Sequence, residues 1–268
     1  MSQPYLPTHL RALFLSDLHL GARSARPALV LDFLAAHRAE TIYLVGDIFD
    51  LWHGGRIHWT DTAEAVVNEL TRRARAGTRV VYLAGNHDAV LREPGVARLP
   101  EGWDLREAII HRAADGQRYL VLHGDQADSR LFRFHIMTRI GSRAEAAIRA
   151  LDDWLGRWAQ RPRAPHHRSR IERSLARFNG WFVMGRRFER RLVRLASAAG
   201  AQGVICGHSH RPALRPVAGA LYANCGDWVD SFTALTEDHD GALRLLSWGA
   251  VRGPVFTSAA ADGMVQAV

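Results

Sequence analysis

Five short apolar runs set the rhythm of this chain, and each ends abruptly in a residue able to carry chemistry. Leu13-Phe14-Leu15 hands over to Ser16-Asp17-Leu18-His19, and Tyr43-Leu44-Val45 to Gly46-Asp47-Ile48-Phe49-Asp50. Val80-Val81-Tyr82-Leu83-Ala84 runs into Gly85-Asn86-His87-Asp88, Tyr119-Leu120-Val121-Leu122 into His123-Gly124-Asp125, and Val204-Ile205-Cys206 into Gly207-His208-Ser209-His210. Short continuous apolar runs rich in β-branched and aromatic residues predict strands buried on both faces. Ligands of open α/β sheets bind just beyond the carboxyl ends of strands, so five such endings predict one shared site with Asp47 at its centre.

Between the runs the period changes. Leu29, Val30, Phe33 and Leu34 are spaced as on one face of a helix over 27–39, which with the strand 41–47 makes a βαβ unit. A second helix is expected from Thr60 or Asp61 as N-cap, through Val66, Val67 and Leu70, to a stop at Gly77. From Trp103 the pattern moves towards alternation, and Asp115-Gly116 predicts a hairpin turn between Ile109-Ile110-His111 and Tyr119-Leu120-Val121, so the sheet becomes mixed. A further helix is expected over 186–199. Closing antiparallel strands are expected over 221–224, 232–235 and 242–246, with Asp238-His239-Asp240-Gly241 as a turn. Residues 126–180 interrupt this order with a helical stretch rich in Arg and Trp, read as an insertion or cap. The expected organisation is a core of residues 1–125 and 181–258, the insertion 126–180, and a tail 259–268.

Composition narrows the setting. With 268 residues and 47% hydrophobic content, the chain suits one large domain or one domain with an insertion. All 35 of its basic residues are Arg, and the net charge of +8 is unevenly placed: residues 130–194 hold 17 Arg against 5 acids. Arg presents a planar fork suited to phosphate, so this segment points to phospholipid headgroups, a nucleotide or nucleic acid. Its apolar residues, Trp154 and Trp158 among them, also suit an amphipathic substrate or peripheral contact with an anionic membrane. Cys206 and Cys225 lie in apolar or glycine-flanked surroundings and are expected to be small buried residues rather than a disulfide. Neither a leader-like start nor a run of about 18 apolar residues is present, and a cytoplasmic protein without a membrane span is expected.

Asp17, His19, Asp47, Asp50, Asn86, His87, Asp88, His123, His208 and His210 form a mixed oxygen and nitrogen set. Residues i and i+2 on a strand or its exit point the same way, so Asp17/His19 and His208/His210 can each aim two side chains at one place. Such ligands suit Mn, Fe, Zn or Co rather than Ca or Mg alone. A carboxylate such as Asp47 can bridge two cations about 3.5–4 Å apart, an arrangement that activates water and clamps a phosphoryl group. Hydrolysis of a phosphate ester or anhydride is the chemistry expected.

The order D-x-H, G-D-x-x-D, G-N-H-D, H and G-H-x-H resembles the calcineurin-like metallophosphoesterases over Asp17 to His210. That resemblance implies a four-layer α/β/β/α sandwich with mixed sheets. It implies one metal held by Asp17, His19, Asp47 and His210 and a second by Asp47, Asn86, His123 and His208, with manganese foremost. His87 would act on the phosphoryl group as acid or charge stabiliser, with Asp50 and Asp88 orienting neighbours. Ser16-Asp17-Leu18-His19-Leu20-Gly21, Gly46-Asp47-Ile48-Phe49-Asp50-Leu51-Trp52, His123-Gly124-Asp125 and Asn224-Cys225-Gly226-Asp227-Trp228 further resemble the UDP-2,3-diacylglucosamine hydrolases of lipid A biosynthesis, which carry an acyl-binding helical insertion after the His-Gly-Asp segment. Cleavage of a pyrophosphate to UMP and a lipid-linked sugar 1-phosphate is implied. The departure is His87, because the best-known members of that group read G-N-R-D. The alternatives are another lipid- or nucleotide-linked diphosphate, a general phosphodiester, less favoured a nuclease, and, outside enzymes, a metal-binding scaffold docked on membranes.

Overall fold

A computed structural model describes residues 8–51, 57–93, 99–127, 186–249 and the short strand Thr257–Ser258. In chain order the elements are β1 (Thr8–Leu15), α1 (Pro27–Ala36), β2 (His37–Val45), α2 (Asp61–Arg75), β3 (Arg79–Leu83), β4 (Trp103–Arg106), β5 (Ile109–Arg112) and β6 (Arg118–Val121). They continue with α3 (Arg186–Ala198), β7 (Gly203–Cys206), β8 (Ala213–Val217), β9 (Ala220–Asn224), β10 (Thr233–Glu237), β11 (Leu243–Ser247) and β12 (Thr257–Ser258).

Two mixed sheets result. The first has the order β12-β11-β10-β1-β2-β3-β4, with β1 to β4 parallel and β10 antiparallel to β1. The second has the order β5-β6-β7-β9-β8, with β6, β7 and β9 parallel. Alternation along the strands assigns their side chains to layers. Ala12, Phe14, Tyr43, Val45, Val81 and Leu83 face Tyr119, Val121, Ile205 and Ala223 of the other sheet. Leu13, Leu15, Ile42, Leu44, Val80 and Tyr82 point the opposite way, against Val30, Phe33 and Leu34 of α1 and Val66 and Leu70 of α2. Leu120, Leu122, Val204 and Tyr222 meet Phe188, Leu192 and Ala196 of α3. Strands covered on both faces need apolar residues at every position, which is why they read as unbroken runs. The layers are α/β/β/α, as the resemblance implies.

Local detail departs from expectation at three places. Helix α1 ends at Ala36 rather than 39, because His37 is already extended (φ −131°, ψ 135°) and pairs with Thr8 in the first sheet. The buried Arg73 of α2 donates from its guanidinium to the carbonyls of His37 and Leu34, satisfying α1's last turn. The alternating region divides: β4 stays in the first sheet, parallel to β3, and the chain crosses so that the β5–β6 hairpin opens the second. β9 was expected to be antiparallel but lies parallel to β7 and forms a hairpin with β8, which the pattern missed because Pro216 and Arg215 disguise an edge strand. Thr60 is the N-cap of α2, its hydroxyl accepting the Ala63 N–H at 3.1 Å. Cys206 and Cys225 are buried and unpaired. The expected insertion 126–180 lies outside the described residues from 128 onward, as does the expected tail 259–268.

Candidate metal centre

The strand endings do converge. β1 and β2 continue their ladder past their last residues, with the Asp17 N–H on the Gly46 carbonyl (3.0 Å) and the His19 N–H on the Asp47 carbonyl (3.0 Å). Asn86 and His87 leave β3, His123 leaves β6, and His208 and His210 leave β7. The first sheet therefore delivers the carboxylates, and the second delivers three imidazoles.

Five of these residues have left-handed backbone: Asp17 (φ 55°), His19 (48°), Asp47 (51°), His208 (66°) and His210 (53°). Non-glycine residues adopt this region at a cost of about 1–3 kcal/mol each, and such strain concentrates where function over-determines the backbone. Two glycines allow the close approach. A Cβ on Gly85 would lie 2.2 Å from Asp47 Oδ1, and one on Gly207 1.8 Å from Ser16 Oγ. No side chain fits at either place.

Donor atoms gather in trios. Those of Asp17, His19 and His210 lie within 4.8 Å of one another, as do those of Asp47, His123 and His208. His210 Nε2 is 3.1 Å from Asp17 Oδ1, and His123 Nε2 is 3.4 Å from Asp47 Oδ2. His123 Nδ1 contacts the Val45 carbonyl at 2.9 Å, which assigns the proton to Nδ1 and the lone pair to Nε2. His19, Asp50 and His87 form a third trio, but there His87 Nδ1 stands 3.1 Å from Asp50 Oδ1 as a hydrogen-bonded pair.

Burial and charge give each group its protonation tendency. Burial alone would raise the Asp17 carboxyl, yet His210 and His123 hold it down at about 2. Asp47 is likewise pushed up by burial and drawn well below its usual range by His123 and His87. Burial opposes charge on His210, but Asp17 raises it to about 10. Burial is the main cause of lowering His19 to about 4. For His87, burial opposes the imidazolium, and the carboxylates of Asp47 and Asp50 outweigh it. The two carboxylates thus draw positive charge into a buried space.

The donor set fits divalent cations on a further observation. His19 Nε2, Asn86 Oδ1, His123 Nε2 and Asp17 Oδ1 are buried without a hydrogen-bond partner among the described residues. Buried polar atoms are rarely left so, and an ion is a standard explanation. These four belong to the set the sequence singles out, and they come from three separate strand endings, those of β1, β3 and β6.

Asp88 occupies another position. Its carboxylate accepts the N–H groups of Ile48 (2.8 Å), Phe49 (3.3 Å) and Gly85 (2.6 Å) together with the Tyr82 hydroxyl. It ties the Asp47 loop to the Asn86 loop from behind. Burial and the Asp47 charge raise its carboxyl to about 6. Residue-by-residue reading missed three contributors. The Ser16 hydroxyl stands 2.5 Å from Asp17 Oδ2 and 2.7 Å from the Val45 carbonyl. Asn224 Nδ2 donates to the Gly207 carbonyl at 2.6 Å and steadies the His208 loop. Asp227 is fully buried, with Oδ2 3.6 Å from His210 Nδ1. Asn224 and Asp227 belong to a motif noticed in the sequence but given no role there.

A family model described as calcineurin-like phosphoesterase matches residues 10–212. Proteins named UDP-2,3-diacylglucosamine hydrolase are similar to this chain. The one from Xanthomonas campestris pv. campestris is 31% identical and that from Pseudomonas aeruginosa 30%, each over 87% of this chain and 97% of the relative. The one from Neisseria meningitidis serogroup B is 29% identical over 87% of this chain and 96% of its own length. Among solved structures, a Vps29 variant from Entamoeba histolytica aligns with 92% of this chain and 99% of that one at 17% identity and a TM-score of 0.47. The family match runs from within β1 to the residues just past His210, so it takes in every strand ending that feeds the cluster, and the chain belongs to the calcineurin-like phosphoesterases.

Proposed function

We propose that this hydrolase cleaves the pyrophosphate bond of UDP-2,3-diacylglucosamine, yielding UMP and 2,3-diacylglucosamine 1-phosphate. The observation that carries the substrate is the likeness, over nearly the full length of both chains, to three proteins bearing that name. The chemistry is supported by the buried donor atoms gathered at the strand endings.

In this reading Asp17, His19, Asp47 and His210 hold one divalent ion, and Asp47, Asn86, His123 and His208 hold the second. When bound, the pair supplies an activated water at neutral pH and offsets phosphoryl charge. Manganese suits the mixed donors, with iron, zinc and cobalt as alternatives. Asp47 gathers with His123 and His208, and this reading has it serve the other ion as well. The His87 N–H to Asp47 Oδ1 bond (2.8 Å) fixes His87 beside that carboxylate. Asp50 engages His87 Nδ1, so Nε2 is the atom from which a proton reaches the leaving oxygen. Asp88 keeps the two loops in register. His87, where the best-known hydrolases of this group carry Arg, marks a subgroup.

The Arg- and Trp-bearing segment supports peripheral contact with an anionic membrane. Among the described residues no helix is long and apolar enough to cross one. Liposome sedimentation should show stronger binding to anionic than to neutral lipid, weakening with salt; equal binding to both would sink this part.

The deciding assay is phosphorus-detected turnover of detergent-dispersed UDP-2,3-diacylglucosamine by Mn-loaded protein, with bis-p-nitrophenyl phosphate and long DNA in parallel. Release of UMP at a far higher rate than cleavage of either other substrate is expected. Cleavage of the small diester alone would keep the phosphoesterase and remove the lipid substrate. Salt-sensitive cleavage of DNA would favour a nuclease.

A further inference from the structure

Asp227 is a buried carboxyl that the proposed reaction leaves without a role. It sits on the loop after β9, its side chain is inaccessible, and its two oxygens are treated differently. Oδ1 accepts three N–H groups of its own loop, those of Val229 (2.8 Å), Asp230 and Ser231 (3.2 Å). Those contacts explain a turn. Oδ2 is buried without a hydrogen-bond partner among the described residues, and it lies 3.6 Å from His210 Nδ1. On the far side of the same ring, Nε2 lies 3.1 Å from Asp17 Oδ1.

We propose that Asp227 is a positioning residue for His210, holding the imidazole with its proton on Nδ1 so that Nε2 presents a lone pair to a divalent cation. The inference rests on the assignment of His210 as a metal ligand under Proposed function. A neutral imidazole has one protonated nitrogen and one lone pair, and the partner of one nitrogen decides the role of the other. Without a carboxylate behind Nδ1, the proton is free to settle on Nε2, where it competes directly with a cation. At 3.6 Å the contact is electrostatic rather than a hydrogen bond, between a buried carboxyl and an imidazole whose side chain is 37% exposed. Carboxylates placed behind ligating imidazoles in this way typically change metal affinity by about 10–100-fold.

The loop holds Asp227 rigidly enough for the task. The Asp227 N–H donates to Ser231 Oγ at 2.8 Å, and Thr233 Oγ1 donates to the Cys225 carbonyl at 2.7 Å. Trp228, fully buried in the core, donates its N–H to the Asp17 carbonyl at 3.1 Å. One short loop therefore touches both Asp17 and His210, two ligands of the same proposed ion.

The test is Mn binding to the metal-free full-length protein by isothermal titration calorimetry, in a double-mutant cycle of Asp227→Asn and His210→Ala. Asp227→Asn keeps the shape and the Oδ1 acceptor while removing the charge. Loss of Mn affinity by about tenfold or more is expected in the otherwise native chain, with no further loss once His210 is Ala. Ser231→Ala loosens the same loop and leaves the charge in place; a lowered melting temperature with unchanged Mn affinity is expected. Native affinity in Asp227→Asn overturns the proposal, as does an equal loss with and without His210, since that would be an effect on the fold. If His210→Ala alone leaves Mn binding unchanged, the ligand assignment fails and takes this inference with it, a result distinct from failure of Asp227→Asn alone.

Discussion

At the scale of single residues, Asp47 and His87 are neighbours whose roles separate cleanly. Asp47 is buried, accepts the His87 N–H and stands against His123. Removing it takes the shared carboxylate from both proposed ions, so Asp47→Ala should lose both turnover and most Mn binding. The His87 side chain pairs with Asp50 and packs edge-on against His19 but belongs to neither proposed ligand set, so His87→Ala should keep most Mn binding and lose about 10²–10⁴-fold in kcat, the range for general acids. His87→Arg divides the acid role from the charge role, because a guanidinium keeps its positive charge and does not give up its proton. If proton donation matters most, Arg should be as poor as Ala; if charge matters most, Arg should recover a large part of the rate. Steady-state kinetics on one substrate with calorimetry on the same preparations checks all three. Undiminished turnover in His87→Ala beside an inactive Asp47→Ala would remove the acid from the mechanism and leave the metal site standing.

The elements show how local sequence and tertiary contact divide the work. Helix α1 is short, lacks a side-chain N-cap and has no basic residue in its last turn. Its end is completed from α2, where Arg73 donates to His37 and Leu34 and pairs with Glu69 at 2.8 Å. Arg73→Met keeps the stem and strips a charged hydrogen bond from each of the two carbonyls, although Leu34 still accepts the His37 N–H; each such bond contributes about 1–3 kcal/mol. Urea unfolding should show a loss of about 2–4 kcal/mol with specific activity retained in the folded fraction; a change under about 0.5 kcal/mol would mean water replaces the guanidinium. The same contact explains what the sequence concealed. Helical periodicity runs on past residue 36, and only the pairing of His37 with Thr8 and the reach of Arg73 across 36 residues end the helix. Strand endings were legible, because a doubly covered strand must be apolar throughout and a ligand must follow it at once. The sheet to which β4 and β9 belong was not legible, since alternation says which face is buried but not which neighbour a strand meets. The same holds for the site: the D-x-H, G-N-H-D and G-H-x-H spacings could be read, Asp88 among them, whereas the roles of Ser16, Asn224 and Asp227 rest on contacts set by the fold, which their place in a motif does not reveal.

On the scale of the whole molecule, polar groups join the two sheets both at the proposed metal centre and further back along β2. At one, the proposed ions would each join carboxylates of the first sheet to imidazoles of the second. The other lies four residues back along β2 from Asp47, about 13 Å at the strand rise, where Tyr43 Oη contacts His111 Nδ1 at 3.0 Å. There His111 Nε2 meets Glu237 Oε2 at 2.7 Å, and Glu237 Oε1 accepts from Arg11 (2.7 Å) and the Ala114 N–H (2.8 Å). Burial pushes the Glu237 carboxyl up, and the hydrogen bonds from His111, Ala114 and Arg11 with the electrostatic pull of His111 bring it below its ordinary range. A carboxyl lowered in the folded state stabilises above its unfolded pKa, near 4.3, and that contribution is lost as pH falls through the lower folded value. Glu237→Gln should therefore be less stable than the native chain at pH 7 by about 1–3 kcal/mol, with the gap closing below about pH 4. Urea unfolding across pH measures it, and a constant difference down to about pH 3 would show that the charge of Glu237 is not what joins the sheets. Stripping metal with EDTA should lower the melting temperature at pH 7, because ions that bind only the folded chain stabilise it by mass action. Groups more than about 10 Å apart without shared partners add, so chelation and Glu237→Gln should destabilise additively within about 0.5 kcal/mol. A large coupling would mean that the clasp at Glu237 sets the spacing of the sheets at the metal centre, and its loss should then appear as weaker Mn binding as well.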